Sequence, residues 1–114
     1  MELLILVVIQ VKHWYVDFFN QTEEEVVKKG IYGNLVGIGH SVKHAIPTAL
    51  IFMFVMPFTS AILIGFCDFL LHYHIDWAKK NYGNQDLDDK RFWRDLGLDQ
   101  MAHQLCYIIF VALI

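Results

Sequence analysis

Residues 60–80 read SAILIGFCDFLLHYHIDWAKK. The first half is apolar enough to enter a membrane, yet Asp68, His72, His74 and Asp76 follow close together. A charged side chain at the centre of a bilayer costs roughly 2.5–3.5 kcal/mol on insertion scales, and less near the interface. Polar groups on such a helix therefore face the inside of a bundle and meet partners there. The stretch thus asks which other parts of the chain supply those partners.

About 20 apolar residues cross a bilayer, within a range of roughly 17–25. Four segments approach that length, at about 3–19, 40–57, 59–78 and 99–114. The expected fold is all-α: a four-transmembrane-helix bundle running up-down-up-down, in one domain covering residues 1–114. Pro57 leaves room only for a tight hairpin between the second and third segments. Pro47 predicts a kink in the second, since it cannot donate to the carbonyl of Lys43. The connectors, 20–39 and 79–98, are charged and punctuated by Gly and Asn. They predict short amphipathic helices on the membrane surface.

A soluble four-helix bundle is the competing architecture. Against it, hydrophobic residues make up 56% of the 114, above the roughly 45–50% apolar of soluble domains. The third and fourth segments are also apolar nearly all round at one end, whereas a soluble bundle helix keeps a polar face throughout. The opening MELLILVVIQVKHW shows neither a basic leader nor a small-residue cleavage site, and reads as a retained first helix. Cys67 and Cys106 are isolated in apolar surroundings and read as small core residues.

Threading four spans puts both connectors on one side, together with all nine Lys and Arg. Positive charge marks that side as cytoplasmic and places the termini opposite. The formal net charge of −3, with no basic run among aromatics, excludes nucleic acid as a partner class. Membrane lipid is the expected partner, with Trp14, Trp77, Phe92 and Trp93 forming an interfacial aromatic belt.

The ionisable residues fall into a pattern on this map. His13 and Asp17 close the first helix, and His40 and His44 open the second. His72 and Asp76 close the third, and Asp99 and His103 open the fourth. Each pair is spaced i, i+4, which stacks both side chains on one helical face. All four pairs lie at helix ends on the same side, so they converge. One such pair alone reads ordinarily as a local hydrogen bond. The four together are the candidate metal ligands: His13, Asp17, His40, His44, His72, Asp76, Asp99 and His103.

Neutral imidazole and carboxylate donors suit Zn, Fe or Mn, and eight donors suffice for one or two divalent ions. Gln21, Gln100 and Gln104 read as solvated helix ends, with support of the neighbouring ligands as the alternative, and His74 points off the common face. Asp68 lies one turn deeper than His72, as a buried acid or an acceptor supporting the ligands. Lys43, Lys79 and Lys80 read as snorkelling to headgroups, with phosphate binding as the functional alternative.

At these residues the chain resembles a small membrane-protein family of phages and bacteria, domain of unknown function 3307. The matching elements are HxxxDFxxQ from His13 to Gln21, HxxxH from His40, HYHIDWAK from His72 to Lys79, and DQxxH from Asp99. The resemblance spans nearly the whole chain and by itself assigns no reaction. In outline the pattern is also similar to membrane-bound metal-dependent hydrolases with His/Asp pairs on their helices.

The expected chemistry is metal-assisted hydrolysis of a lipid or phosphoester, with Asp17 or Asp76 as general base. One alternative is a metal-ion or proton transporter, for which Asp68 is the only deep polar stepping stone. Another is a non-catalytic, phage-type scaffold whose metal pins the helices, in a homo-oligomer. A redox-active di-iron site is a variant of the same centre.

Overall fold

Helices form along the apolar runs and then overrun them. The computed structural model describes residues 1–114 and holds five α-helices and one π-helical turn, with no strand. Helix α1 spans Glu2–Trp14 and passes directly into the π turn at Tyr15–Phe19. Helix α2 covers Glu23–Lys28, α3 Leu35–Phe52, α4 Phe58–Tyr82 and α5 Lys90–Val111.

Local chemistry explains the ends. Thr22 and Glu25 form a reciprocal capping box that starts α2. Asn34 and Asp89 accept from Val36 and Arg91 amides and cap α3 and α5. Pro57 disfavours helical geometry at Met56, so α3 stops at Phe52 and α4 starts after Pro57.

These boundaries revise the four expected spans. Helix α3 starts at Leu35, before the span expected from 40, and α4 runs on to Tyr82. Residues 90–98, assigned to a connector, are the charged first turns of α5, because Asp89 supplies a strong cap. Two helices, α3 with 18 residues and α4 with 25, are long and apolar enough to cross a membrane. Helix α1 is only 13 residues before its π turn, and the opening turns of α5 carry Lys90, Arg91, Arg94 and Asp95. Cys67 is exposed on the outer surface and is not the core residue expected, while Cys106 is half-buried and packs against the apolar core.

The packing is polar inside and apolar outside. Of the 26 buried residues, thirteen are polar or charged, while rows of Leu, Val, Ile and Phe stand exposed on every long helix. One end of the molecule has an apolar core of Ile5, Ile9, Phe52, Ala61, Ile64, Phe110 and Val111, with Tyr107 at its edge. The buried ionisable groups gather at the other end.

The most extensive helix pair is α3 with α4, and small residues permit it. A Cβ on Gly65 would meet the Ala49 Cβ at 2.7 Å and the Ala45 carbonyl at 3.1 Å. Small residues at such a contact let two helix backbones approach closely. Replacing Gly65 with Leu is expected to force the pair apart at a cost of about 1–3 kcal/mol. Denaturant unfolding of the purified protein measures this; an unchanged midpoint would show that α3 and α4 are not so closely apposed.

Candidate metal centre

The i, i+4 pairs are brought together by four elements. The π turn carries Asp17, buried beside Val16, and single π turns of this kind recur at functional sites. Helix α3 presents His40, Ser41, His44 and Thr48 on its buried face. Helix α4 presents Asp68, His72 and Asp76 one turn apart, and α5 presents Asp99, His103 and Tyr107 likewise.

Two carboxylates form the hub. Asp17 Oδ1 lies 2.8 Å from His44 Nε2, 3.1 Å from His40 Nε2 and 3.6 Å from His72 Nε2. Asp76 Oδ2 lies 3.1 Å from His72 Nε2 and 3.4 Å from His40 Nε2, and Asp76 Oδ1 lies 3.2 Å from His103 Nε2. The rings of His44 and His72 stack at 3.5 Å between centroids, and those of His72 and His103 at 4.2 Å. None of these residues is more than 5% exposed.

Two groups of donors result. One atom each from Asp17, His40, His44 and His72 lie within 4.8 Å of one another, and so do atoms of His72, Asp76 and His103. These six residues could hold a metal ion, His72 being common to both groups. The other two expected ligands stand beside them. His13 Nδ1 accepts from the Tyr107 hydroxyl at 3.0 Å, while its Nε2–H faces Gln100 Oε1 at 2.8 Å and Asp17 Oδ2 at 3.2 Å. Asp99 Oδ2 accepts from the Gln100 amide at 3.0 Å, and its Oδ1 is 3.5 Å from His103 Nε2.

Hydrogen-bond satisfaction tests whether a cation fits. Five buried side-chain polar atoms in the chain make no well-directed hydrogen bond: His40 Nδ1, both ring nitrogens of His72, Asp76 Oδ2 and Asp99 Oδ1. Four of the five lie on the six converging residues, and Asp99 Oδ1 stands beside them. An unmatched buried polar group costs about 1–3 kcal/mol, so their concentration here is not a packing accident. Imidazole nitrogens aimed at carboxylate oxygens are the donor set that a borderline divalent cation satisfies. The residues present fit a metal ion.

Lys29 is the surrounding residue that spacing did not reveal. It sits just past α2, buried, with Nζ 3.4 Å from Asp76 Oδ2 and 2.8 Å from Gln21 Oε1. Burial works against its charge, but the fields of Asp76, Asp17 and Asp99 outweigh that and raise its pKa. Gly37 makes the approach possible, since a Cβ there would meet Lys29 Cα at 2.9 Å and the Lys28 carbonyl at 3.0 Å. Only its partner Gln21 gave a sequence signal, at the end of HxxxDFxxQ. Gln21 and Gln100 are not solvated helix ends: Gln21 also donates to the Asp17 carbonyl at 2.8 Å. Gln104 is exposed, and His74 bonds Tyr32 and the Leu70 carbonyl away from the centre.

A second polar layer lies one turn deeper. Asp68 Oδ2 accepts from Thr48 Oγ1 at 2.6 Å and from Lys12 Nζ at 3.3 Å. Lys12 Nζ is also 3.2 Å from the Tyr107 hydroxyl and 3.4 Å from His44 Nδ1. Asp68 is thus neutralised by a buried lysine and is not one of the converging donors.

The fold and this cluster define a class: an all-α protein with a buried His/Asp centre that could hold a metal ion. Comparison with known families then places it. The chain belongs to the family described as protein of unknown function (DUF3307), whose profile matches residues 3–114. No curated protein and no solved structure matches the chain.

Removing one partner of a buried charge cluster costs about 3–5 kcal/mol. Lys29→Met is expected to destabilise the folded protein by about that amount in thermal or denaturant unfolding. A change of under about 1 kcal/mol would show that the ammonium does not hold the carboxylates together.

Proposed function

We propose that this chain is an integral membrane protein carrying a metal centre for hydrolysis of a lipid or phosphoester. The observation that carries the metal reading is the set of four buried polar atoms on His40, His72 and Asp76 that make no well-directed hydrogen bond. The membrane reading is supported by the inverted packing, apolar residues outside and ionisable groups within. The molecule is 44 Å long, against a hydrocarbon core of about 30 Å. In this reading α1 and α5 join α3 and α4 as spans, giving a four-span bundle. The lysine- and arginine-rich end, which holds the centre, faces the cytoplasm and the termini face away.

Asp17, His40, His44 and His72 would hold one divalent ion, of Zn, Fe or Mn type. Charge supports a single ion: with Asp68 paired to Lys12 and Glu25 to Lys43, Asp17, Asp76 and Asp99 against Lys29 leave two negative charges around neutral imidazoles. Such an ion supplies a Lewis acid that brings the pKa of water to about 7. The remaining chemistry belongs to the chain. Both oxygens of Asp17 are occupied, by His40 and His44 on one and His13 on the other. Asp76 Oδ2 receives no well-directed hydrogen bond, although His72 Nε2 and Lys29 Nζ lie 3.1 and 3.4 Å away, so Asp76 would be the general base, its carboxylate held in place by Lys29. Tyr107 and Gln100 lock the His13 ring, which in turn orients Asp17.

Transport is the weaker reading. The polar layer of Lys12, Thr48 and Asp68 is followed by the apolar core of Ile9, Phe52, Ile64 and Phe110, which offers an ion no further ligands.

Elemental analysis of detergent-purified protein is expected to find a stoichiometric divalent metal that a His40→Ala, His44→Ala variant loses. Equal metal in both proteins would remove these residues from the ligand set. Asp76→Asn is expected to keep the metal and lose turnover on a phospholipid and phosphoester panel. Metal without turnover of any panel member by the unaltered protein would leave a metal-pinned scaffold in its place.

A further inference from the structure

Beside the centre, α4 and α5 diverge and leave a cavity of about 410 Å³, within the roughly 300–1,000 Å³ of small-molecule sites. One wall is apolar, built from Ile75, Ala78, Leu98 and Ala102. The polar wall carries Lys79, Arg94, Asp95 and Asp99. We infer that this groove binds an anionic amphiphile, its phosphate head between Lys79 and Arg94 and its tail along the apolar wall. The inference rests on the hydrolase reading above and names its substrate class and place of binding.

Two groups with bonding capacity to spare carry it. The Lys79 side chain is 17% exposed, and its ammonium pairs only loosely with Asp99 Oδ2, 3.8 Å away and beyond hydrogen-bond distance. An ammonium carries three donors, so one held this loosely beside an apolar wall is free to bond an anionic acceptor. Asp99, in the same cavity, is 5% exposed, and its Oδ1 has no hydrogen-bond partner. The site therefore suits a ligand with an acceptor for Lys79 and a hydroxyl donor for Asp99. A phosphate bearing a polyol, such as a glycerol phosphate head, offers both.

Arg94 at the rim adds positive charge. Its Nε and one terminal nitrogen lie 3.1 and 3.0 Å from Asp95 Oδ1, which leaves the rest of the fork open to a second phosphate oxygen. Asp95 itself is also occupied, accepting the Asn84 amide at 2.8 Å.

Placement links groove to chemistry. Asp99 Oδ1 is 3.5 Å from His103 Nε2, which is in turn 3.2 Å from Asp76 Oδ1. A head group on Asp99 is thus next to the candidate metal centre. A free polyol phosphate would satisfy Lys79 and Asp99 but leave the apolar wall unused, so the amphiphile is the better match.

Calorimetric titration of the detergent-solubilised full chain tests this, with short-chain phosphatidylglycerol, glycerol 3-phosphate and short-chain phosphatidylcholine as probes. Phosphatidylglycerol is expected to bind at least tenfold more tightly than either of the others. Lys79→Ala should weaken it at least tenfold, Lys79→Arg should restore most of the affinity, and Leu98→Trp should fill the groove and abolish binding. Leu98 is 59% exposed, so that variant keeps the fold, and all three are expected to retain the metal content of the parent. Equal binding of glycerol 3-phosphate, or unchanged affinity in Lys79→Ala and Leu98→Trp, would overturn the groove. Lipid binding by a protein without metal would sustain the groove and sink only the hydrolase reading beneath it.

Discussion

Everything in this molecule is arranged around the burial of imidazoles and carboxylates that have nowhere else to go. His13, His40, His44, His72 and His103 lie inside together with Asp17, Asp76 and Asp99. An i, i+4 pair fixes the rotation of its helix, because both members must face the same interior. Four elements constrained in this way share one meeting point. The apolar residues are then left to cover the outside, the reverse of the arrangement that drives a water-soluble core.

Charge neutrality shapes the interior in two tiers. The upper tier collects carboxylates beside Lys29, brought in by the short capped helix α2 and admitted by Gly37. The lower tier pairs Asp68 with Lys12 and seals that pair with Thr48 and Tyr107. The two tiers meet at His44, whose Nε2 faces Asp17 and whose Nδ1 faces Lys12. Buried ion pairs are weak contributors to stability, but losing one partner is severe. Such layers therefore specify a register between helices more than they strengthen it.

Spacing made much of this legible and left definite gaps. The four His/Asp pairs could be read because i, i+4 periodicity is a local signal, and the structure puts six of those eight residues into two converging groups. The sequence could not separate these from His13 and Asp99, whose different status comes from Tyr107, Gln100 and the α4–α5 groove. Lys29 escaped notice because a lysine in a charged connector looks solvated until Gly37 and Asp76 are known to pack on it. Helix bounds were misjudged where hydropathy and capping disagree. Asp89 starts α5 well before the apolar run begins, and Pro57 ends α3 before that run is over.

The π turn at Tyr15–Phe19 has a consequence for how the chain can vary. An α-helix advances about 100° per residue, so adding or deleting one residue swings everything downstream by that angle. The wider i→i+5 turn absorbs an offset of this kind, and it lies where α1 hands the chain to Asp17. Length between His13 and Gln21 is therefore held more strictly than side-chain identity at outward positions such as Tyr15 and Phe18. Related chains would tolerate different greasy residues there far more readily than a change in their number.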